Sequence, residues 1–161
     1  MNKKSRTTPV QDKEFMKEEP RIDLSKASDI VRTKLLAQGG SAVIPLLNGG
    51  CCQIALTKDG TAFTSDKLNL HHYLYKLTVL DIIVELLQNS PQKRAPKGNA
   101  HGKEDKVGYG RCTPDTVVGA IAVHYFRKAP GESCFDPVFV MAAILDWAGI
   151  AKNGRGYLQL C

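Results

Sequence analysis

No apolar run in this sequence approaches the about 18–20 residues that a membrane-spanning helix needs. The longest, near 77–87 and 138–150, are interrupted by acids. The first twenty residues also lack the apolar stretch of a secretion signal. Cysteine is scarce and odd in number: Cys51, Cys52, Cys112, Cys134 and Cys161. A secreted disulfide framework shows an even set, so the thiols read as reduced and the cytoplasm as the compartment. Adjacent Cys51 and Cys52 on a strand point to opposite faces, which does not suit one metal. Cys112, His124 and Cys134 lack the close ligand pair of a zinc site, so neither metal nor cofactor is expected. The chain has no HExxH, GxSxG or phosphate-loop lysine motif. Gly108-Tyr109-Gly110 lacks both the third glycine and the preceding strand of a dinucleotide fingerprint. No catalytic residue is therefore assigned. The enzymatic reading narrows to a metal-dependent nuclease drawing on His101 with Glu104 and Asp105, and a non-enzymatic protein is expected.

What is present is a globular composition, 43% hydrophobic, with a net charge of +6 and a pI near 9.1. That balance fits a polyanionic partner such as nucleic acid, DNA before RNA. Residues 1–20 mix charges of both signs without period and read as a flexible arm. Residues 21–90 read as helix, hairpin and helix. Leu24, Ala27, Ile30, Val31 and Leu35 recur at helical spacing, Asp23 is placed to cap them, and Gly39-Gly40 ends the run. Strands follow at Ser41–Leu46, an edge strand because of Pro45, and at Cys51–Thr57, with Asp59-Gly60 as a hairpin turn. A second helix, starting between Leu68 and His72 and reaching Gln88, carries Leu74, Leu77, Leu80, Ile83, Val84 and Leu87 and reads as the central element. His71 and His72 at its start point apart and read as surface polar groups.

Residues 91–112 change character. The stretch from Asn89 to Cys112 holds Lys93, Arg94, Lys97, Lys103, Lys106 and Arg111 against Glu104 and Asp105, a local charge of +4. A Gly/Pro-rich loop of that length is functional or disordered. In residues 113–161, Thr113-Pro114 and Asp136-Pro137 read as capped helix starts, for helices near 114–128 and 137–148. Lys152-Asn153-Gly154-Arg155-Gly156 then reads as a turn before a strand at Tyr157–Leu160. His124 reads as a core or edge histidine and Trp147 as a core anchor.

Two capped helices and a basic hairpin, with Ile144 to Leu158 closing the unit, resemble the winged helix-turn-helix superfamily. The resemblance covers 113–160 and implies that Lys152, Asn153 and Arg155 lie near phosphate. The helix at 137–148 has no Arg, Lys, Asn or Gln to read base edges. The expectation is an α+β fold, helices with a small antiparallel sheet and a winged-helix-like C-terminal part, sharing one core. Its expected role is contact with a phosphate backbone through Lys93, Arg94, Lys97, Lys103, Lys106 and Arg111 of the loop and through the wing. The alternative is a protein-interaction subunit or homo-oligomer that uses the apolar fourth helix.

Overall fold

The computed structural model describes residues 24–68 and 74–161. The expected arm, the Asp23 cap and the His71–His72 pair lie outside the described residues. The first helix, α1 (Ala27–Ala37), buries Ala27, Val31 and Leu35 and stops at Gly39 and Gly40, both at positive φ. Its own cap position, Lys26, supplies no side-chain acceptor. Instead, the Ser28 N–H donates to Asp81 Oδ1 at 2.9 Å, a carboxylate from a helix 53 residues later in the chain. One of the orphan donors of α1 is thus satisfied through tertiary packing.

Strands β1 (Ser41–Pro45), β2 (Cys51–Leu56), β3 (Ala62–Ser65) and β4 (Tyr75–Lys76) form an antiparallel sheet in chain order, with β1 at one edge. Pro45 occupies that edge strand as its missing donor requires. Cys52 faces the core while Cys51 is exposed, as strand alternation dictates. The pairing of Tyr75 with Phe63 corrects the expected start of the second helix. That helix, α2 (Thr78–Gln88), begins later because 75–76 is held extended against β3. It is central nevertheless, packing on α1, on the next helix and on the C-terminal strands.

After α2 the chain turns through Gln92 and Lys93, both at positive φ, into β5 (Arg94–Pro96). This strand lies within the expected loop and pairs with β7 (Tyr157–Leu160), which pairs with β6 (Ala151–Asn153). The loop and the last part therefore share one three-stranded sheet, ordered β5-β7-β6.

The third helix is shorter and later than the expected span near 114–128. Its α-helical turn α3 (Val117–Ala120) is capped by Thr116, whose Oγ1 accepts from the Gly119 N–H at 3.0 Å. Thr113 does not cap it. A Cβ on Gly119 would stand 1.9 Å from the Thr113 carbonyl oxygen, so the 113–116 turn lies flat against a bare glycine. The helix then widens over 121–125, where the Phe126 N–H reaches back five residues to the Ile121 carbonyl.

Helix α4 (Val138–Trp147) begins one residue later than expected, with Pro137 rather than Asp136 at the cap position, and Asp136 Oδ1 just ahead of it accepts from the Val138 N–H at 2.9 Å. Val138 and every residue from Val140 to Leu145 are buried. Its buried apolar residues pack on β6, β1 and α1 of the same chain, and Phe139 is the one large apolar side chain of the helix left exposed. Trp147 anchors its end, receiving the Lys34 ammonium both on its carbonyl oxygen, at 2.5 Å, and over its ring. One hydrophobic cluster runs from Val31 and Ile44 through Leu80 and Ile83 to Ile144 and Leu158, so both sheets share a core.

Candidate functional site

The three C-terminal strands contain no acid. Ala95, Leu158 and Asn153 form one cross-strand row and are buried, so the adjacent row of Arg94, Gln159 and Lys152 faces outward. Arg94 and Lys152 are exposed on the two flanking strands, two strand spacings apart, roughly 10 Å. Exposed Lys93 precedes this row in the chain, and exposed Arg155 stands in the hairpin turn.

Tyr157, on the same outward face, organises this surface. Its ring covers Gly154, where a Cβ would come within 2.1 Å of the phenol carbon. The Arg94 guanidinium lies 3.7 Å from the ring centroid, the diagonal contact that antiparallel register allows. The ring favours this position of the guanidinium by about 0.5–1 kcal/mol.

The remaining candidate cations are distributed otherwise. Lys97 turns inward and donates to Asn153 Oδ1 at 2.5 Å, so these two residues engage each other. Burial pulls the Lys97 ammonium below its usual range, with Asp136 opposing the shift. Lys106 donates to Ser133 Oγ at 3.0 Å, and Lys103 is exposed. Arg111 clasps Asp105 through Nε at 3.0 Å and Nη2 at 2.6 Å, while its own N–H and that of Gly102 also donate to this carboxylate. Those bonds hold Asp105 below the usual carboxylate range. The Arg111 side chain remains 65% exposed over its buried partner. The loop is thus built around one carboxylate.

A cleft of about 440 Å³ opens beside this sheet, between the loop after β5 and the start of α4. Lys97 and His101 line it with Asp136, whose side chain is 15% exposed. His101 Nε2 stands 3.7 Å from Asp136 Oδ2, beyond hydrogen-bond reach. Burial raises the Asp136 carboxyl above its ordinary value, against the lowering effects of the Val138 N–H, His101 and Lys97. His101 therefore faces Asp136, while Asp105, which the nuclease reading grouped with it, is committed to Arg111. Among the described residues no cluster of three or more His, Cys, Asp or Glu is arranged to hold a metal. His124 is exposed and lines a second cleft with Glu85 and Asn89.

The sequence pattern places Tyr157 only on a strand and Asp136 only at a cap. Their further contacts come from strand register and from residues distant in the chain, so no local motif marks them. Compared with protein-family models, curated proteins and solved structures, the chain finds no match in any of the three.

Proposed function

We propose that this protein binds the phosphate backbone of nucleic acid through the outward face of the β5-β7-β6 sheet. The observation that carries the reading is the row of Arg94, Gln159 and Lys152, free of acid, with Arg94 stacked on Tyr157. Arginine presented on an aromatic ring suits phosphate, because its planar fork loses little freedom on pairing. Lys93 and Arg155 extend the face, and exposed Lys103 adds charge in the loop after β5, where Arg111 is paired with Asp105. The order of α3, α4 and a basic hairpin supports the winged-helix resemblance. Against it stands the 126–137 connection, longer than the tight turn of a helix-turn-helix. Because α4 is buried and carries no base-reading side chain, contact with the backbone rather than with base edges is the form of binding proposed.

Fluorescence anisotropy with labelled duplex and single-stranded DNA and RNA at several salt concentrations tests the proposal. Four phosphate contacts, from Lys93, Arg94, Lys152 and Arg155, correspond to a slope of log K against log salt of about −3 to −4. The double variant Arg94→Ala/Lys152→Ala should weaken all sequences alike and shallow the slope by about 2. Absence of salt-sensitive binding at low ionic strength, or a double variant indistinguishable from the parent, would overturn the assignment.

A further inference from the structure

The cleft beside the sheet brings together groups of three kinds. Lys67 and Lys97 supply positive charge, and Asp136 supplies a recessed acceptor with His101 opposite it. Phe135 and Phe139 supply flat apolar wall, and Phe139 is 44% exposed, a large ring facing solvent at the start of a buried helix. Small-molecule sites combine an apolar lining with a few convergent polar groups, and the lining of this cleft is of that kind. A ligand that uses all three must have an anionic end, a hydrogen-bond donor edge and a flat ring. A sugar phosphate offers no planar ring to the two phenylalanines, and a fatty acid offers no hydrogen-bond donor to Asp136.

We infer that this cleft binds one nucleotide unit, its base against Phe139, its polar edge at Asp136 and its phosphate at Lys67 and Lys97. Asp136 has its Oδ1 engaged by the Val138 N–H, while Oδ2 faces His101 across a gap too long for a hydrogen bond. That second oxygen is suited to accept from an amino or imino group of a base. Of the three donors of the Lys97 ammonium, one goes to Asn153. Lys97 is the link between the cleft and the sheet, its side chain reaching the inward row at Asn153. The Lys97 N–H donates to the Gly156 carbonyl at 2.9 Å, so the hairpin turn bearing Arg155 is fastened to the strand end that feeds the cleft. A strand lying on the sheet can cross that turn and turn one unpaired base inward, as enzymes that extrude bases do. The choice of a nucleotide rests on the nucleic-acid reading of the sheet. The unit is supplied by an unpaired position in a strand or by a free mononucleotide.

The full-length protein is titrated with each of the four nucleoside 5′-monophosphates, and with a short single-stranded oligonucleotide that is intact or carries one abasic site. Phe139→Ala and His101→Ala alter the partly exposed wall and rim, and circular dichroism confirms that each variant folds. The expected result is saturable mononucleotide binding that Phe139→Ala weakens about tenfold or more, and an abasic penalty of about tenfold that this variant abolishes. The abasic site should be costly at one position of the oligonucleotide and nearly neutral elsewhere. No mononucleotide binding together with no abasic penalty, while salt-sensitive strand binding persists, overturns the cleft and leaves the sheet face standing. Mononucleotide binding sensitive to Phe139→Ala, with no strand binding, upholds the cleft as a free-nucleotide site and overturns the sheet-face reading.

Discussion

The guanidinium of Arg94 lies 3.7 Å from the centroid of the Tyr157 ring, which also covers Gly154. Sheet register creates this arrangement: Arg94 pairs with Gln159, so its diagonal neighbour on the outward face is Tyr157. A cation over an exposed ring gains about 0.5–1 kcal/mol, which converts to about two- to fivefold in affinity if the ring alone orients the arginine. Tyr157→Ala should weaken strand binding by that factor, while Tyr157→Phe, which keeps the ring, should bind as the parent does. Equal losses in the two variants would show that the hydroxyl, not the ring, matters. Gly154→Ala offers an independent check, because its methyl would enter the ring's space. It should destabilise the fold by about 1–3 kcal/mol and disturb Arg94 as well.

Lys93 carries its charge on a backbone at φ 56°, a conformation that non-glycine residues adopt at a cost of about 1–2 kcal/mol. Glycine removes that cost but raises the entropy of the unfolded chain by about 0.5–1 kcal/mol equivalent. Lys93→Gly should therefore stabilise the protein slightly, by about 0.5 kcal/mol, while reducing nucleic-acid affinity and shallowing its salt dependence. Chemical denaturation and anisotropy on the same preparation read the two effects. Lower stability would mean that the lysine side chain offsets its own backbone strain.

The contact between Asp81 and the Ser28 N–H makes the start of α1 depend on α2. Asp81→Ala leaves a helix donor without its acceptor and should cost about 1 kcal/mol in urea denaturation, within the range for lost caps. Asp81→Asn keeps an acceptor oxygen and should recover most of the loss. Amide exchange should quicken at Ser28 more than in the middle of α1. Uniform protection along α1 in the alanine variant would assign the contact no capping role.

Much of the fold is legible because its stops are local. Gly39-Gly40 and Asp59-Gly60 fall where the sequence places them, the C-terminal turn narrows to Gly154–Gly156 because Lys152 and Asn153 join β6, and α4 starts within one residue of its expected place. Other features depend on partners far along the chain. Strand β5 has only three residues and one inward side chain, Ala95, so no alternation announces it. Tyr75-Lys76 sits in a helical pattern but is captured by β3. Thr113 has the better local signature for a cap, yet Thr116 takes the role because Gly119 lets the Thr113 carbonyl approach. The candidate cleft draws on residues from 67 to 139, and only folding brings Lys67, Lys97, His101, Asp136 and Phe139 together. Charge was readable as an excess; its division into an outward row, an inward lysine and a clasped arginine was not.

Two carboxylates with opposite shifts give stability a pH dependence that can be resolved by substitution. Asp136 is raised above its ordinary value of 3.8, burial being the largest cause. Between the unfolded value and this higher folded one, the folded protein retains a proton that the unfolded chain has lost. Stability contributed by Asp136 is therefore greatest at low pH and declines as pH rises through that window. Asp105 is lowered from 3.8, first by its hydrogen bonds from Arg111. Its contribution is present above the unfolded value and disappears as pH falls through the folded one. Asp136→Asn retains an acceptor for the Val138 N–H and removes the first dependence, so its stability relative to the parent should rise as pH increases from about 4 to 7. Asp105→Asn removes the second and weakens the Arg111 clasp. It should be most damaging near neutrality and least damaging in strong acid. Urea unfolding of the three proteins across this range separates the effects, since the two difference curves differ in sign and in position. A flat Asp136→Asn difference would show that the Val138 N–H, His101 and Lys97 together fully offset the burial of this carboxylate.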